Sequence, residues 1–539
     1  MLLAIAAGAF VLRFGLFRST EPRGDASYWA IVLRDMVSAD RLLPAGSGGV
    51  GVLRALESAR EGDTSWLYAV GRPVHASPIW LFTEVPLLFQ SLLLAIFRYS
   101  YEHVAALSIL GSVLAIFALS VLAARCSEAP RFAAVAAALI YTGSAYAMLY
   151  SPWGVHNWGV FALIAAVAIA TPLLANPAGW TEKSKLRLLI LASVTLFAAY
   201  SHFTNPVIMA IAMPMALGFL PGVTIRRKAA LVLYFGLVVC LGLAPVGILT
   251  LALHKLWTSF GVFANTGNSP WHYVAGIPQR GGQWFEFGAA LFSLPGLAVG
   301  VTGLAAMAFA TRFRLPACVT AAHFLCYCLV PGFIWNGSHT YLRTYNYAIP
   351  FLALGIAWLL AYTIRAGFRA PGARFLRIMV IALVTWHMAV QIPWGGYRAW
   401  AEKRAPDFVE IYLAGQGRLS PIVSGIEQIT KDERLIFEDN TVEYEYLPLA
   451  SNSAHIERSS VQAILDRQMR GQSLLADLPD SGYLIARDSE EYPFREEDFA
   501  SAVYRLRHSP SRIALVGVYP TGVREYGDIR LYHMLPAAE

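Results

Sequence analysis

Asp25 lies in Arg23-Gly24-Asp25-Ala26-Ser27-Tyr28-Trp29, directly after the first apolar run of the sequence. A carboxylate at the mouth of a span, followed by aromatics, is suited to general-base work. It can take the proton of a hydroxyl brought to the membrane surface. The same Asp also reads as the N-cap of a helix over 26–36, because its side chain accepts the first free amides; the two roles are compatible.

Other polar side chains gather at the same ends of the apolar runs. The first outer loop carries Arg72 and His75, the second His156 and Asn157, the third His202, and later ones His254, Lys255, His272, Arg280, Glu286, His339, Arg343, Tyr345 and Asn346. Singly, each such residue is an ordinary interface anchor. Their shared placement on one face describes a wet cavity rimmed by bases. Trp29, Trp153, Trp158, Trp257, Trp271 and Trp284 are available there for ring stacking or interfacial anchoring.

The elements that position these residues are membrane spans. Of 539 residues, 56% are hydrophobic and 14% charged, with mean hydropathy +0.50. A soluble domain carries roughly 25% charged residues. Apolar runs of ~20 residues recur along the chain and read as spanning helices. The first, 2–17, has no basic segment before it and no small-residue cleavage site after it, so it reads as a retained span.

Counting 79–97 as a span places most basic loops outside. Leaving it in or on the outer leaflet puts the basic loops 123–131, 176–187, 224–228, 311–314 and 363–377 on the cytoplasmic side, as the positive-inside bias requires. Glu84 and Pro86 within that segment fit an interfacial or re-entrant helix. About eleven spans follow: 2–17, 104–123, 132–150, 158–175, 188–201, 206–221, 229–253, 287–310, 315–334, 347–363 and 376–392. The N-terminus is then cytoplasmic and the C-terminus outside. The outer loops are 18–103, 151–157, 202–205, 254–286 and 335–346.

Charge divides the chain. Residues 1–392 hold 26 basic and 12 acidic side chains, and 393–539 hold 16 and 23. This is a positive-inside membrane domain followed by an acidic soluble one, not a nucleic-acid binder. In 393–539, β-like runs at 435–437, 483–486, 513–519 and 529–532 alternate with helical patterns at 459–470 and 496–506, which predicts a soluble α/β domain. The five cysteines all precede residue 393, and Cys326 and Cys328 are too close for a C-x-x-C pair, so neither zinc nor redox chemistry is expected. Phosphate-binding glycine loops, G-x-S-x-G and H-E-x-x-H are all missing from the sequence.

Five short motifs add to this layout. They are the acidic motif around Asp25, Arg72-Pro73-Val74-His75-Ala76-Ser77-Pro78-Ile79-Trp80, Tyr150-Ser151-Pro152-Trp153, Tyr200-Ser201-His202-Phe203-Thr204-Asn205-Pro206, and Tyr341-Leu342-Arg343-Thr344-Tyr345-Asn346-Tyr347-Ala348-Ile349-Pro350. Together they resemble the GT-C glycosyltransferases of the protein O-mannosyltransferase and lipid A aminoarabinose transferase type. The resemblance covers most of residues 1–392. It implies a polytopic α-helical, GT-C-like membrane domain over 1–392, with its active site in the first outer loop, 18–103. An extracytoplasmic α/β domain over 393–539 follows, as in several bacterial members, in the inner (plasma) membrane.

The resemblance also implies a reaction. A sugar leaves a polyprenyl-phosphate donor for a glycan, lipid or protein acceptor on the outer face, and the superfamily's first-loop acidic residue maps to Asp25. Two departures stand out: the second acidic residue of the motif is Ala26 here, and His-Pro-Pro is loosened to Val74-His75-Ala76-Ser77-Pro78. No acidic residue occurs in 151–158, where oligosaccharyltransferase relatives keep metal-binding carboxylates, so neither metal nor cofactor is expected.

Such a transfer needs a base for the acceptor hydroxyl and cations for the departing phosphate. Asp25 supplies the first; Arg343, Arg72 or His156 supplies the second through charge-assisted hydrogen bonds. His202 orients donor or acceptor, and His75, Asn157 and Tyr345 complete the substrate-binding set. With one base and no second nucleophile, direct displacement with inversion is the simpler route. Three other classes share parts of this layout. A polysaccharide polymerase or ligase places its critical residues in a late outer loop. A lipid-sugar transporter would show inverted repeats and charges at mid-membrane, where these spans are nearly free of charge. A non-catalytic relative would act in envelope assembly through a partner bound to 393–539.

Overall fold

The computed structural model describes residues 1–19, 33, 84–97, 101–144, 155–176, 180, 184–202, 204–252, 274–329, 344–366, 375, 378, 382, 419–430, 435–437, 456–458, 482–488, 511–520 and 528–536. The chain forms two compact units. The first comprises Met1–Gly15, Val74–Phe89 and Ala105–Ala405; the second comprises Leu16–Pro73, Gln90–Val104 and Pro406–Glu539. The expected boundary at 392/393 lies outside the described residues.

Apolar runs become helices because, without water, the backbone must satisfy its own hydrogen bonds. The helices are α1 (Leu2–Ser19), α2 (Glu84–Phe97), α3 (Tyr101–Cys126), α4 (Pro130–Thr142), α5 (Val155–Ala175) and α6 (Ser184–Ala199). They continue with α7 (Thr204–Gly218), α8 (Ile225–Ala252), α9 (Ile277–Ala310), α10 (Leu315–Leu329) and α11 (Ile349–Ala366). Each expected span through 347–363 is occupied by one of them, and 376–392 lies almost wholly outside the described residues. Four described helical segments are long and apolar enough to cross a membrane: Glu102–Cys126, His156–Ala175, Ile225–Pro245 and Ile277–Ala310. With the shorter apolar helices around them, they make this a multi-pass membrane protein.

Basic residues next to the connections after α3, α5, α7 and α9 bond backbone carbonyls, some of them at helix ends. Arg187 donates to Leu173 O at 3.2 Å and to Asn176 O at 2.8 Å, covering the end of α5 while it sits over the Trp180 ring. Arg125 donates to Ala168 O at 2.7 Å, Arg227 to Trp180 O at 2.6 Å, and Arg314 to Phe219 O past the end of α7. Trp358 Nε1 donates to Cys126 O at 3.0 Å, closing α3. The last carbonyls of a helix have no internal partner and carry the negative end of its dipole, so cations belong there. The residues that set the expected orientation therefore also stabilise one end of the bundle.

Helix α9 differs from expectation. Residues 277–286 were expected in an outer loop, but they open a 34-residue helix. Pro278 stands in its first turn, where a missing amide costs nothing, and Gly281-Gly282 hid the periodicity. The helix is broken at Ser293 (φ 61°, ψ 160°), two residues before Pro295. It restarts with Ser293 Oγ accepting the Gly296 amide at 3.2 Å, an N-cap within the helix. Beyond the break, α9 and α11 meet backbone to backbone. A Cβ on Gly303 would collide with Gly355 O, and one on Gly355 with Gly300 O. Small residues at such contacts let helices approach where apolar side chains have no water to escape.

In the second unit, α12 (Leu419–Thr430) accompanies five strands: β1 (Leu435–Phe437), β2 (Ile456–Arg458), β3 (Gly482–Asp488), β4 (Ser511–Pro520) and β5 (Asp528–Pro536). They form one mixed sheet in the order β2-β1-β3-β5-β4. β1 is parallel to β2 and β3, while β5 is antiparallel to β3 and β4. Leu484, Ile485, Ala486, Ile529, Leu531 and Tyr532 are buried at its centre. The helical patterns expected at 459–470 and 496–506 lie outside the described residues.

Candidate functional site

His156 and Asn157 stand in the first turn of α5, His202 in the four-residue connection 200–203 between α6 and α7, and Tyr345 and Tyr347 in the tight turn before α11. The His156 and His202 ring centroids are 4.5 Å apart, and the Tyr347 ring lies 5.4 Å from His202 and 6.3 Å from His156. Gly159, one turn into α5, makes this fit possible. A Cβ there would come to 2.5 Å from both His202 Cβ and the Tyr347 hydroxyl.

Hydrogen bonds fix the parts. His202 Nδ1 accepts the Thr204 amide at 3.2 Å, which leaves the ring proton on Nε2 in the neutral form. Asn157 Nδ2 donates to Ser108 Oγ of α3 at 3.1 Å. Asn205 Nδ2 spans two elements, donating to Gly159 O at 3.0 Å and Ala198 O at 2.8 Å. The turn after α6 is thereby tied to the start of α5.

A second cluster backs the first across the same turn. Trp284 Nε1 of α9 donates to His323 Nδ1 of α10 at 3.0 Å, and His323 Nε2 lies 2.7 Å from Thr344 O. An indole N–H can only donate, so Nδ1 is bare and Nε2 donates to the carbonyl. His323 is thus neutral and holds the turn that carries Tyr345. The Tyr345 ring packs 5.4 Å from Trp284, 5.9 Å from His323 and 6.0 Å from Phe287, with its hydroxyl over Gly288. Burial in this turn pushes the Tyr345 phenol above its ordinary pKa, so it stays protonated and able to donate. Buried atoms here keep unspent capacity: the Tyr345 hydroxyl, Asn205 Oδ1 and Asn346 Oδ1 have no partner. Buried polar groups are normally satisfied, so these three atoms are available to bond water or a ligand.

Of the eight residues expected at the site, His156 and His202 are brought into ring contact, Asn157 stands beside His156 and bonds Ser108, and Tyr345 packs instead with Trp284, His323 and Phe287. Asp25, Arg72, His75 and Arg343 lie outside the described residues. Trp158 and Trp284, expected as stacking or anchoring aromatics, are buried instead. Trp158 packs on Gly111 and on Phe89, at 5.1 Å from the Phe89 ring, and Trp284 is enclosed in the Tyr345 cluster. Among the described residues no three His, Cys, Asp or Glu side chains form a group able to hold a metal ion.

Sequence reasoning missed His323, Tyr347 and Arg13. His323 interrupts the apolar run 315–329, and Arg13 stands inside the apolar α1, a charge within a span, which is itself the signal. Arg13 is fully buried and donates from Nη1 to Ser112 Oγ of α3.

A bundle of apolar helices whose polar residues converge at one end is the architecture expected of the GT-C membrane fold, and comparison with solved structures shows that fold. ArnT from Cupriavidus metallidurans in the apo state matches with TM-score 0.56 at 12% identity, over 98% of this chain and 97% of that one. The same protein bound to undecaprenyl phosphate matches with TM-score 0.54 at 10% identity, over the same shares of the two chains. The arabinofuranosyltransferase AftD from mycobacteria aligns over all of this chain and 40% of its own at TM-score 0.39, too low to bear on the fold. No family model matches the sequence, and no curated protein matches it.

Proposed function

We propose that this protein is a GT-C glycosyltransferase that moves a sugar from a polyprenyl-phosphate donor to an acceptor at the outer membrane face. The observation that carries the reading is near full-length correspondence with the ArnT fold, seen there both apo and bound to undecaprenyl phosphate. The ring cluster of His156, His202 and Tyr347 adds support, because it gathers buried polar side chains next to helix ends. Asp25 is the general base, and transfer is by direct displacement with inversion. Arg343, Arg72 or His156 holds the departing phosphate, and His202 with Asn157, His75 and Tyr345 positions donor and acceptor. No metal or cofactor takes part. The chain crosses the inner membrane about eleven times, given spans of ~20 residues, with its N-terminus cytoplasmic. Residues 393–539 form an extracytoplasmic α/β domain that meets acceptor or an envelope-assembly partner.

The test is single-turnover release of polyprenyl phosphate. Purified full-length protein is incubated with lipid extract from the source cells, and free polyprenyl phosphate is followed by mass spectrometry. Release dependent on the protein and lost in Asp25→Asn supports the reading; equal release by wild type and Asp25→Asn would remove the base assignment.

A further inference from the structure

Helix α8 is held mainly at its far half. The Tyr200 hydroxyl, just past α6, donates to Gly242 O at 2.8 Å, and a Cβ on Gly242 would strike Leu196 of α6. Near its first turns α8 leaves room beside α7: a Cβ on Gly218, the last residue of α7, meets nothing within 4 Å. In the apolar stretch Ile225–Pro245, 11% is buried inside the protein, against 67% in the apolar stretches of α3 and α5.

Between the two helices lies an open-sided cavity of about 550 Å³, lined by Gly218, Ile225, Lys228, Ala229, Val232 and Leu233. Ligand cavities measure roughly 300–1,000 Å³. α7 begins at Thr204, two residues after His202, and ends at Gly218. At 1.5 Å per residue the cavity therefore stands about 20 Å from His202, at the opposite end of the bundle. It shares no residue with the His156–His202–Tyr347 cluster.

Among the lining residues Lys228 alone is charged. Arg226 and Arg227 precede it, and Arg227 donates to Trp180 O at 2.6 Å. Among the described residues no carboxylate pairs with Lys228; Glu128, in the connection after α3, is paired with Arg365. The Lys stem lies along apolar surface while its ammonium reaches the interface. An apolar cleft with a cation at its mouth is complementary to a molecule with a hydrocarbon chain and an anionic head. Anionic lipids gather at such basic juxtamembrane turns. A second copy seated on this face by two-fold symmetry would instead bring two basic turns together, which like-charge repulsion opposes.

We propose that the cavity between α7 and α8 binds one anionic phospholipid of the leaflet at this end of the bundle, the cytoplasmic one in the expected orientation. An acyl chain lies against Val232 and Leu233, and the phosphate meets Lys228. The lipid fills the gap between α7 and the first turns of α8 and so steadies α8. The site is separate from the substrate lipid and does not depend on the transferase reading.

The test is native mass spectrometry of delipidated full-length protein in detergent, titrated with palmitoyl-oleoyl phosphatidylglycerol or the matching phosphatidylcholine. The proteins are wild type, Lys228→Gln, Lys228→Arg, Val232→Trp and Arg312→Gln. Arg312 follows α9 at the same end and does not line the cavity, so it is the matched charge control. Wild type should bind one phosphatidylglycerol in preference to phosphatidylcholine. Lys228→Gln should weaken phosphatidylglycerol about fivefold, the contribution of one lysine at an anionic surface. Lys228→Arg should keep the preference, Arg312→Gln should match wild type, and Val232→Trp, which fills the cleft, should weaken both lipids. Wild type and Lys228→Gln should melt alike in detergent alone, while added phosphatidylglycerol should raise the melting temperature of wild type more than that of Lys228→Gln. Equal binding of the two lipids by wild type, or equal losses in Lys228→Gln and Arg312→Gln, would overturn the site. A dimer abolished by Val232→Trp would overturn it in favour of a second copy. Lys228-dependent displacement of phosphatidylglycerol by undecaprenyl phosphate would overturn its separation from the substrate lipid.

Discussion

Replacing Gly159 by alanine tests the packing at the centre of the site, because two effects of opposite sign compete there. In a helix interior Ala is favoured over Gly by about 0.5–1 kcal/mol. At position 159, however, the new methyl would stand 2.5 Å from both His202 Cβ and the Tyr347 hydroxyl. Carbon atoms in good contact sit ~3.5–4.0 Å apart, so the overlap exceeds 1 Å. His202 Cβ is anchored directly to its backbone, and that backbone is tied through Asn205 to Gly159 O and Ala198 O. His202 Cβ cannot swing aside as a flexible side-chain end would, and the Tyr347 ring is enclosed on all sides. Overpacking of this kind costs about 1–3 kcal/mol, which outweighs the helix preference and leaves a net loss of roughly 1–2 kcal/mol. Gly236 in α8 is the control, since a Cβ there meets nothing within 4 Å. Thermal unfolding of purified protein, followed by tryptophan fluorescence in one detergent, should show Gly159→Ala below wild type and Gly236→Ala at or slightly above it. Transfer activity should fall with Gly159→Ala even at temperatures where the protein is fully folded, because the two histidines and Tyr347 must shift. A Gly159→Ala protein as stable and as active as wild type would refute the close approach of His202 and Tyr347 to α5.

Two further substitutions separate structure from chemistry. Tyr345→Phe deletes a buried hydroxyl that has no partner, so stability should hold or rise by up to ~1 kcal/mol while transfer falls at least tenfold; unchanged turnover would make Tyr345 a packing residue only. His323→Leu should strand the Trp284 N–H and the Thr344 carbonyl, with a loss of ~2 kcal/mol or more; pairing it with Trp284→Phe should recover part of that loss, and strict additivity of the two would argue against the relay.

The membrane layout was legible because apolar length and basic-loop bias are properties of contiguous sequence. The basic residues at 187 and 314 also reach carbonyls at or just past helix ends, a role set by geometry rather than by residue type. The placement of His156, Asn157, His202 and Tyr345 next to helix ends was legible for the same reason: each adjoins a predicted span end. Where reading failed, the cause was local. Gly281-Gly282 and Pro278 disguised the first turns of α9 as a loop, and the three-residue β2 is too short to carry a period. His323 and Arg13 were hidden in apolar runs. Their roles depend on Trp284, Thr344 and Ser112, partners that are 39, 21 and 99 residues away in the chain and that no spacing rule connects.

The central claim is that this chain spends a polyprenyl-phosphate sugar and that Asp25 does the chemistry. Lipid mass spectrometry on source cells carrying the intact protein, a deletion, or Asp25→Asn tests it most directly. The account predicts one polyprenyl-phosphate sugar accumulating alike in the deletion and in the point mutant, with Asp25→Asn present at normal abundance. Lipid pools indistinguishable from wild type in both strains would contradict it.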